Sequence, residues 1–457
     1  MGELDPQTDK INSKPVKKVL MIAYVFPPFF SVGGSIRVVK FIKYLTGLGW
    51  LPRVLTIDDR HEYDTQRKQG SETLFANIPD EVMIYRTSAG EPSVEFLERG
   101  RQAREKNKAA ALLINTLRAM RNFARQYLLM PDEYLAWLPI AVRSGRKIIK
   151  REQIDVIFAT VPPHSVTLTA SLLRWLTRKP LVLDYRDDWI DTPWFKDKPW
   201  FKRFIERRME WWAVTSASKV ILVTDYSRNE FIKRYPRQPK DKFEFIPNGV
   251  DLVDFGGAKD IPTGHAPGEE FTIVHAGLLS VSGGWHRNPR PLFTALKNLQ
   301  IQNPELKGKL KMVFTGRLPE AYQEMVREMG LTDTVQEVGH LPQPEFIKLL
   351  KGSDLLLTIN YDGFATLIPG KIYEYWAVGG PSILLLSVPG AASNLLDQYG
   401  LGLTASQHDA DAIAAAILQV YQRREAGDPM HASLNGIEQY DRRALAEKLA
   451  ATLDTVK

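Results

Sequence analysis

The 457-residue chain is long enough for two or three domains at about 150 residues each. Its 44% hydrophobic and 25% charged composition is that of a globular protein, and the absence of cysteine excludes a disulfide framework and a thiolate metal site. A net charge of +7 admits anionic partners from nucleotides to nucleic acid and acidic lipid, and selects none of them. No apolar run approaches the roughly 18 residues that a bilayer span needs. The start, Met1-Gly-Glu-Leu-Asp-Pro6, lacks a basic, apolar secretory signal and has Pro6 where a myristoylation signal needs Ser or Thr. Residues 1–16 are expected to be a disordered leader.

Short apolar runs then alternate with helical patterns, as in a parallel sheet covered by helices. The predicted strands of the first half are Lys18–Val25, Arg53–Ile57, Val82–Arg86, Asp155–Thr160, Leu181–Asp184, Val220–Thr224 and Phe243–Ile246. The clearest helix is Ser35–Leu48, with Val38, Phe41, Ile42 and Leu45 at helical spacing. Residues 254–269 have four Gly, two Pro and no periodicity, and read as a linker. The pattern then restarts, with strands at Phe271–Ala276, Leu310–Thr315, Val335–Val338, Asp354–Ile359 and Ser382–Leu386. Helices are expected near Leu292–Leu299, Glu320–Met329 and Pro344–Leu350. Leu445, Leu449, Leu453 and Val456 share one face of a terminal helix that should pack back on the domains.

The chemistry-bearing motifs fall at the ends of these strands. The first strand runs into Tyr24-Val-Phe-Pro-Pro, then Gly33, Gly34 and Ser35 before the helix. A glycine pair there lets backbone approach a bulky anion at a helix start, although Ser35 as a simple N-cap explains it too. Another strand ends in Val161-Pro-Pro-His164, and a lone His is as readily structural as catalytic. Asp184-Tyr-Arg186-Asp187-Asp188-Trp189 follows a buried strand, but lacks the D-x-D spacing of metal-dependent sugar transferases. Its plain reading is Asp187 as a cap and Trp189 as core. Pro247-Asn248-Gly249 reads as a tight turn with positive φ. In the second half Val274-His-Ala-Gly277 leads to Arg287 and Arg290, and Phe314-Thr-Gly-Arg317 ends the next strand. Arginines at strand ends can neutralise phosphate bidentately.

The richest stretch is Ile368-Pro-Gly-Lys371-Ile-Tyr-Glu374-Tyr-Trp. It puts a cation in the first turn of a helix and a carboxylate one turn later on the same face. The helix start suits phosphate, and the carboxylate can accept from two sugar hydroxyls. The competing reading is an ordinary i,i+3 surface pair.

Two segments suit an anionic membrane. Glu98–Leu128 carries eight basic residues and two acids around an apolar stripe, and Trp194–Trp212 mixes aromatics with cations. Each is equally a helix that buries its stripe in its own domain. Nothing resembles a nucleic-acid recognition module, so nucleic acid is not an expected partner.

In order and spacing, these motifs resemble the retaining family-4 glycosyltransferases, known as glycosyl transferases group 1, over nearly the whole chain. The resemblance implies an α/β architecture of the GT-B type: two Rossmann-like, doubly wound parallel-sheet domains facing across a cleft. On it, 17–253 is the acceptor-side domain, 254–269 the linker, 270–430 the nucleotide-sugar domain and 431–457 the returning helix. It implies transfer from a nucleoside-diphosphate sugar to a glycan, lipid-linked or other hydroxyl acceptor, with retention and with no metal or other cofactor. Glu374 matches the ribose-binding carboxylate, and Arg287 and Lys371 match cations around the diphosphate. Gly33 and Gly34 match the glycine loop, and Arg317 joins the donor-side set. Arg186 and Asp187 fall where many members have a His-Asp pair, so with His164 they form the expected catalytic group. Two departures stand out: Thr366, counted with the donor-binding set, occupies the position of the first of two family glutamates, and Arg186 replaces the usual His. A nucleotide-sugar epimerase of the same fold and a non-catalytic sugar-nucleotide binder remain alternatives. The expected location is the cytoplasm, with peripheral attachment to the inner membrane face.

Overall fold

The computed structural model describes residues 16–27, 34–58, 74–89, 129–190, 192–260, 262–277, 279, 287–339 and 341–456. Gly33, Glu98–Leu128 and, apart from Val16, the expected leader therefore lie outside the described residues. The first half carries β1 (Lys17–Ile22), α1 (Gly34–Leu45), β2 (Trp50–Ile57), β3 (Met83–Thr87), α2 (Leu138–Glu152), β4 (Val156–Val161), α3 (Ser165–Thr177) and β5 (Leu181–Tyr185). It continues with α4 (Pro193–Lys196), α5 (Trp200–Ser216), β6 (Lys219–Leu222), α6 (Asp225–Arg234) and β7 (Phe243–Phe245). A 3-10 segment, Leu252–Asp260, follows in the stretch read as a linker.

The second half carries β8 (Phe271–Ala276), α7 (Arg290–Gln302), β9 (Leu310–Thr315), α8 (Glu320–Glu328), β10 (Val335–Glu337), α9 (Gln343–Lys351) and β11 (Leu355–Ile359). Next come α10 (Gly370–Val378), β12 (Gly380–Leu386), α11 (Ala391–Tyr399), β13 (Gly402–Ala405), α12 (Ala410–Glu425), β14 (His431–Ala432) and α13 (Arg442–Thr455).

The strands form two sheets, ordered β3-β2-β1-β4-β5-β6-β7 and β10-β9-β8-β11-β12-β13, with β14 antiparallel to β12. Pairing along the second path is parallel throughout. The expected pair of doubly wound α/β sheets is therefore present. In each sheet the strand order reverses once, between β1 and β4 and between β8 and β11. Open sheets of this kind bind ligands outside the carboxyl ends of strands at such a reversal.

Continuous burial explains the unalternating apolar strands: every residue of β4, β5, β8 and β11 is buried. In α1, Val38, Phe41, Ile42 and Leu45 are fully buried, as their spacing predicts. Around α10, Tyr373, Tyr375 and Trp376 are fully buried with Leu356, Leu385 and Leu396. Each such side chain contributes on the order of 1.5–3 kcal/mol by leaving water. Leu445, Leu449 and Leu453 of α13 are buried too, whereas Val456 lies past the end of the helix and is only partly buried.

The chain divides into two compact units: Met1–Leu183 with Trp212–Lys219 and Leu449–Lys457, and Asp184–Trp211 with Val220–Lys448. Arg186, Asp187 and Asp188, just past β5, thus belong to the second unit.

One local expectation is corrected. Gly249 does not adopt positive φ. It is needed for close approach: a Cβ there would sit 1.9 Å from the Tyr440 carbonyl oxygen. That approach lets Val250 N–H donate to Tyr440 O at 3.1 Å and Arg442 N–H donate to Val250 O at 2.9 Å.

Candidate functional site

The second sheet's strand reversal is lined by the ends of β8 and β11. β8 is followed directly by Gly277, whose φ of +144° is reserved largely for glycine. The buried Tyr375 hydroxyl locks this end: it accepts from Ala276 N–H at 2.7 Å and donates to Leu357 O at 3.2 Å. Beside it, the fully buried His275 bonds Leu357 O through Nδ1 at 3.0 Å. Burial and then the Arg287 and Lys371 charges hold His275 down to about 3, so the imidazole is neutral. A neutral ring here adds no positive charge to compete with the two cations that it senses.

The Arg287 guanidinium lies 4.2 Å above the Tyr361 ring, in the loop after β11. That loop is pinned by the buried Asn360. Its Nδ2 donates to Ser387 Oγ at 3.1 Å and to the Leu367 and Phe364 carbonyls at 3.3 and 3.4 Å, and its Oδ1 accepts from Tyr361 N–H at 2.9 Å. The loop then delivers Pro369 to the start of α10.

No side chain caps α10, and no acid lies in its first turn. Its start therefore keeps the backbone donors and partial positive charge that favour an anion. Lys371 and Glu374 are bonded to each other at 2.7 Å and are roughly 30% and 28% exposed. The i,i+3 pair weighed in the sequence reading does form, but half-buried, with the ammonium also 4.8 Å over the Phe346 ring. Both Glu374 and Arg287 act on the Tyr375 hydroxyl. Arg287, Lys371, Glu374 and the α10 start thus converge on one sheet edge. Arg317 is exposed on the loop after β9 and is brought into no described contact with them.

The other predicted residues are carried by other elements. Gly34 is buried at the first residue of α1. His164 is the N-cap position of α3, and the neighbouring Ser165 N–H donates to Asp132 Oδ2 at 2.9 Å. Asp132 also accepts from Tyr134 N–H at 3.1 Å, and burial raises its carboxyl pKa. Asp132 went unnoticed in the sequence because it lies 33 residues from its partner.

Past β5, Asp187 is partly buried, and burial pushes its carboxyl up to about 6 while the Arg186 guanidinium pulls it back. Asp188 is buried and accepts from Ser227 Oγ at 2.9 Å. Burial raises its carboxyl pKa, and the Ser227 and Thr366 hydroxyls draw it back down. Trp189 is core, with its Nε1–H donating to Glu206 at 2.9 Å.

α5 turns an unusual pair of faces. Its inward face carries the acids Glu206 and Glu210, which take Lys198 at 2.7 Å and Arg234 at 2.9 Å. Burial pushes the Glu210 carboxyl up to about 8, against the pull of the Tyr235 hydroxyl bonded to it. The outward face carries Trp200, Phe204 and Trp211, which are 74, 60 and 50% exposed. Arg208 lies within 6 Å of the Phe204 and Trp211 rings. This overturns, for these three aromatics, the reading of a stripe buried in its own domain.

Among the described residues no group of three or more His, Cys, Asp or Glu side chains is placed to hold a metal ion. No described helix is long and apolar enough to cross a membrane. A cavity of about 410 Å³, bounded by His265, Asp354, Arg424 and His431, lies at the amino ends of β11 and β12, opposite the cationic edge.

Comparison with known proteins agrees with this layout. The model of Glycosyltransferase Family 4 matches residues 33–254, and that of Glycosyl transferases group 1 matches residues 270–423. The chain is 25% identical over 215 residues to a D-inositol 3-phosphate glycosyltransferase of Kribbella flavida, covering 45% of this chain and 49% of the relative. It thus spans about half the length of that curated relative. Among solved structures, sucrose-phosphate synthase from Thermosynechococcus elongatus superposes with a TM-score of 0.64 at 14% identity, over 96% of this chain and 98% of that one. Anabaena HepE in complex with UDP and glucose gives 0.60 at 16% identity, over 96% and 100%. At such identities these two structures establish the fold alone. With two glycosyltransferase models that together take in residues 33–254 and 270–423, on two sheets of the matching architecture, the chain belongs to the glycosyltransferases of the GT-B fold, with a family-4 first half and a group-1 second half.

Proposed function

We propose that the chain transfers a sugar from a nucleoside-diphosphate sugar to a hydroxyl acceptor, with retention at the anomeric carbon. One observation carries the donor half: Arg287, Lys371, the uncapped α10 start and Glu374 gather at the carboxyl edge of the second sheet, around its strand reversal. Breaking the anomeric C–O bond puts negative charge on the departing diphosphate. Preorganised cations and helix N–H groups stabilise that charge, and this supply is why we propose a reaction without a protein-bound metal. Glu374 then accepts from the ribose hydroxyls once Lys371 swings from it to phosphate. Arg186, Asp187 and His164 are assigned to the sugar and acceptor, and Gly33 and Gly34 to the phosphates.

A uridine nucleotide is the first donor to test, because the Anabaena relative is described in complexes with UDP and with UDP-glucose. Thermal-shift screening against a panel of nucleotide sugars tests the assignment. A ligand at about 100 times its dissociation constant adds roughly 2.7 kcal/mol of stability. A panel without any shift would remove the donor site. Turnover of donor without acceptor would favour the epimerase alternative, and binding without turnover the non-catalytic one.

For the acceptor side we propose docking on an anionic lipid surface through α5, toward a lipid-linked or surface-glycan acceptor. Tryptophans beside cations suit the headgroup region, and an exposed phenylalanine adds apolar surface. Here Trp200, Phe204 and Trp211 point outward while the acids of the same helix point inward. Peripheral attachment at the cytoplasmic face follows from that proposal.

A further inference from the structure

The loop between β11 and α10 meets the candidate site at several points. Its first contact is Tyr361, which carries the Arg287 guanidinium 4.2 Å above its ring. Its middle packs on the segment after β5: the Phe364 and Trp194 rings are 4.7 Å apart, and a Cβ on Gly363 would stand 3.2 Å from Pro193. Near its end the Thr366 hydroxyl acts on the carboxyl of Asp188, which directly follows Arg186 and Asp187. The Asn360 amide holds these parts together from beneath.

We propose that residues 360–367 are a positioning loop that registers the Arg186–Asp187 strand end against the Arg287 cation, with Tyr361 as its purchase at one end and Phe364 and Thr366 at the other. The inference rests on the donor reading above. In that reading Arg287 meets the departing diphosphate while Arg186 and Asp187 meet the sugar, so their mutual placement sets where the anomeric carbon sits. Small misplacements of reacting groups are costly to rate. Thr366 acts here through its hydroxyl on Asp188, a job that a glutamate at this position would not do next to a buried carboxylate. The unusual residue thereby acquires a physical reason. Tyr361 works differently: its ring is a shelf for a cation, so an aromatic ring is needed and the hydroxyl is not.

The test uses the full-length chain with UDP and UDP-glucose as probes, calorimetry for binding, and slow release of UDP from UDP-glucose in water. In that hydrolysis the bond from C1 to the diphosphate oxygen breaks, water oxygen joins C1, and its proton leaves to solvent. Tyr361→Ala is expected to weaken UDP binding by roughly three- to thirty-fold, with recovery in Tyr361→Phe. Thr366→Val is expected to slow UDP release several-fold at unchanged UDP affinity, with recovery in Thr366→Ser. Asp188→Asn combined with Thr366→Val should slow release no further than the worse single variant. Thermal midpoints are recorded for all, because a purely structural role lowers the midpoint and leaves the split between affinity and rate unmoved. Equal behaviour of Thr366→Val and Thr366→Ser, or wild-type binding by Tyr361→Ala, overturns the loop's role alone. A wild-type chain that binds neither UDP nor UDP-glucose overturns the donor assignment for these probes and the loop with it.

Discussion

Replacing Glu374 by alanine separates the two readings of the Lys371–Glu374 pair by magnitude. As an i,i+3 helix pair with both groups about 30% exposed, it contributes about 0.2–0.5 kcal/mol to folding. Its loss would shift the thermal midpoint by at most about 2 °C. As the acceptor of ribose hydroxyls, the same carboxylate is worth roughly 1.5–3 kcal/mol to the bound nucleotide. That is about a ten- to 150-fold loss of affinity. The effects differ several-fold, so calorimetric titration of UDP beside a thermal melt distinguishes them. The expected outcome is a near-native melt with at least tenfold weaker binding. Glu374→Ala with affinity within twofold of wild type would refute the argument and leave the pair as surface decoration.

The remaining expectations follow from single groups. Burial raises the Asp187 carboxyl to about 6, so the folded state holds this proton where the unfolded chain has lost it. The group thus destabilises the fold progressively as pH rises from about 4 to about 6, by at most about 3 kcal/mol, and Asp187→Asn should remove that part of the slope in melts at stepped pH. Gly249→Ala drives a Cβ into the Tyr440 carbonyl and breaks two backbone hydrogen bonds. A loss of roughly 1–3 kcal/mol in denaturant unfolding is expected, and an unchanged midpoint would contradict the close approach. Trp200→Ala with Trp211→Ala should cut co-sedimentation with phosphatidylserine vesicles at low salt. Wild-type chain that stays in the supernatant would end the lipid proposal.

Where one physical cause dominated, the chain was readable. β8 and β9 fall on the predicted residues because both are short apolar runs bounded by polar turns. α10 was legible from Pro369 and Gly370 at its start, and so were Lys371 and Glu374 as neighbours. β13, with an exposed threonine and only four residues, gave no such signal. His275 passed unremarked because a histidine within an apolar strand looks like any polar interruption; only the fold shows it beside Arg287 and Lys371. Tyr361 and Asp132 act across the sequence, on partners 74 and 33 residues away, which periodicity cannot reveal. Gly249 was recognised as special for the wrong reason: Asn-Gly suggests a left-handed turn, whereas Tyr440, distant in sequence, supplies the constraint.

The most direct measurement is a crystal structure with bound UDP. The diphosphate should lie against the N–H groups of Gly370 and Lys371 and within reach of Arg287, with the ribose hydroxyls donating to Glu374. Nucleotide bound elsewhere, with Lys371 still paired to Glu374, would contradict the assignment at its centre.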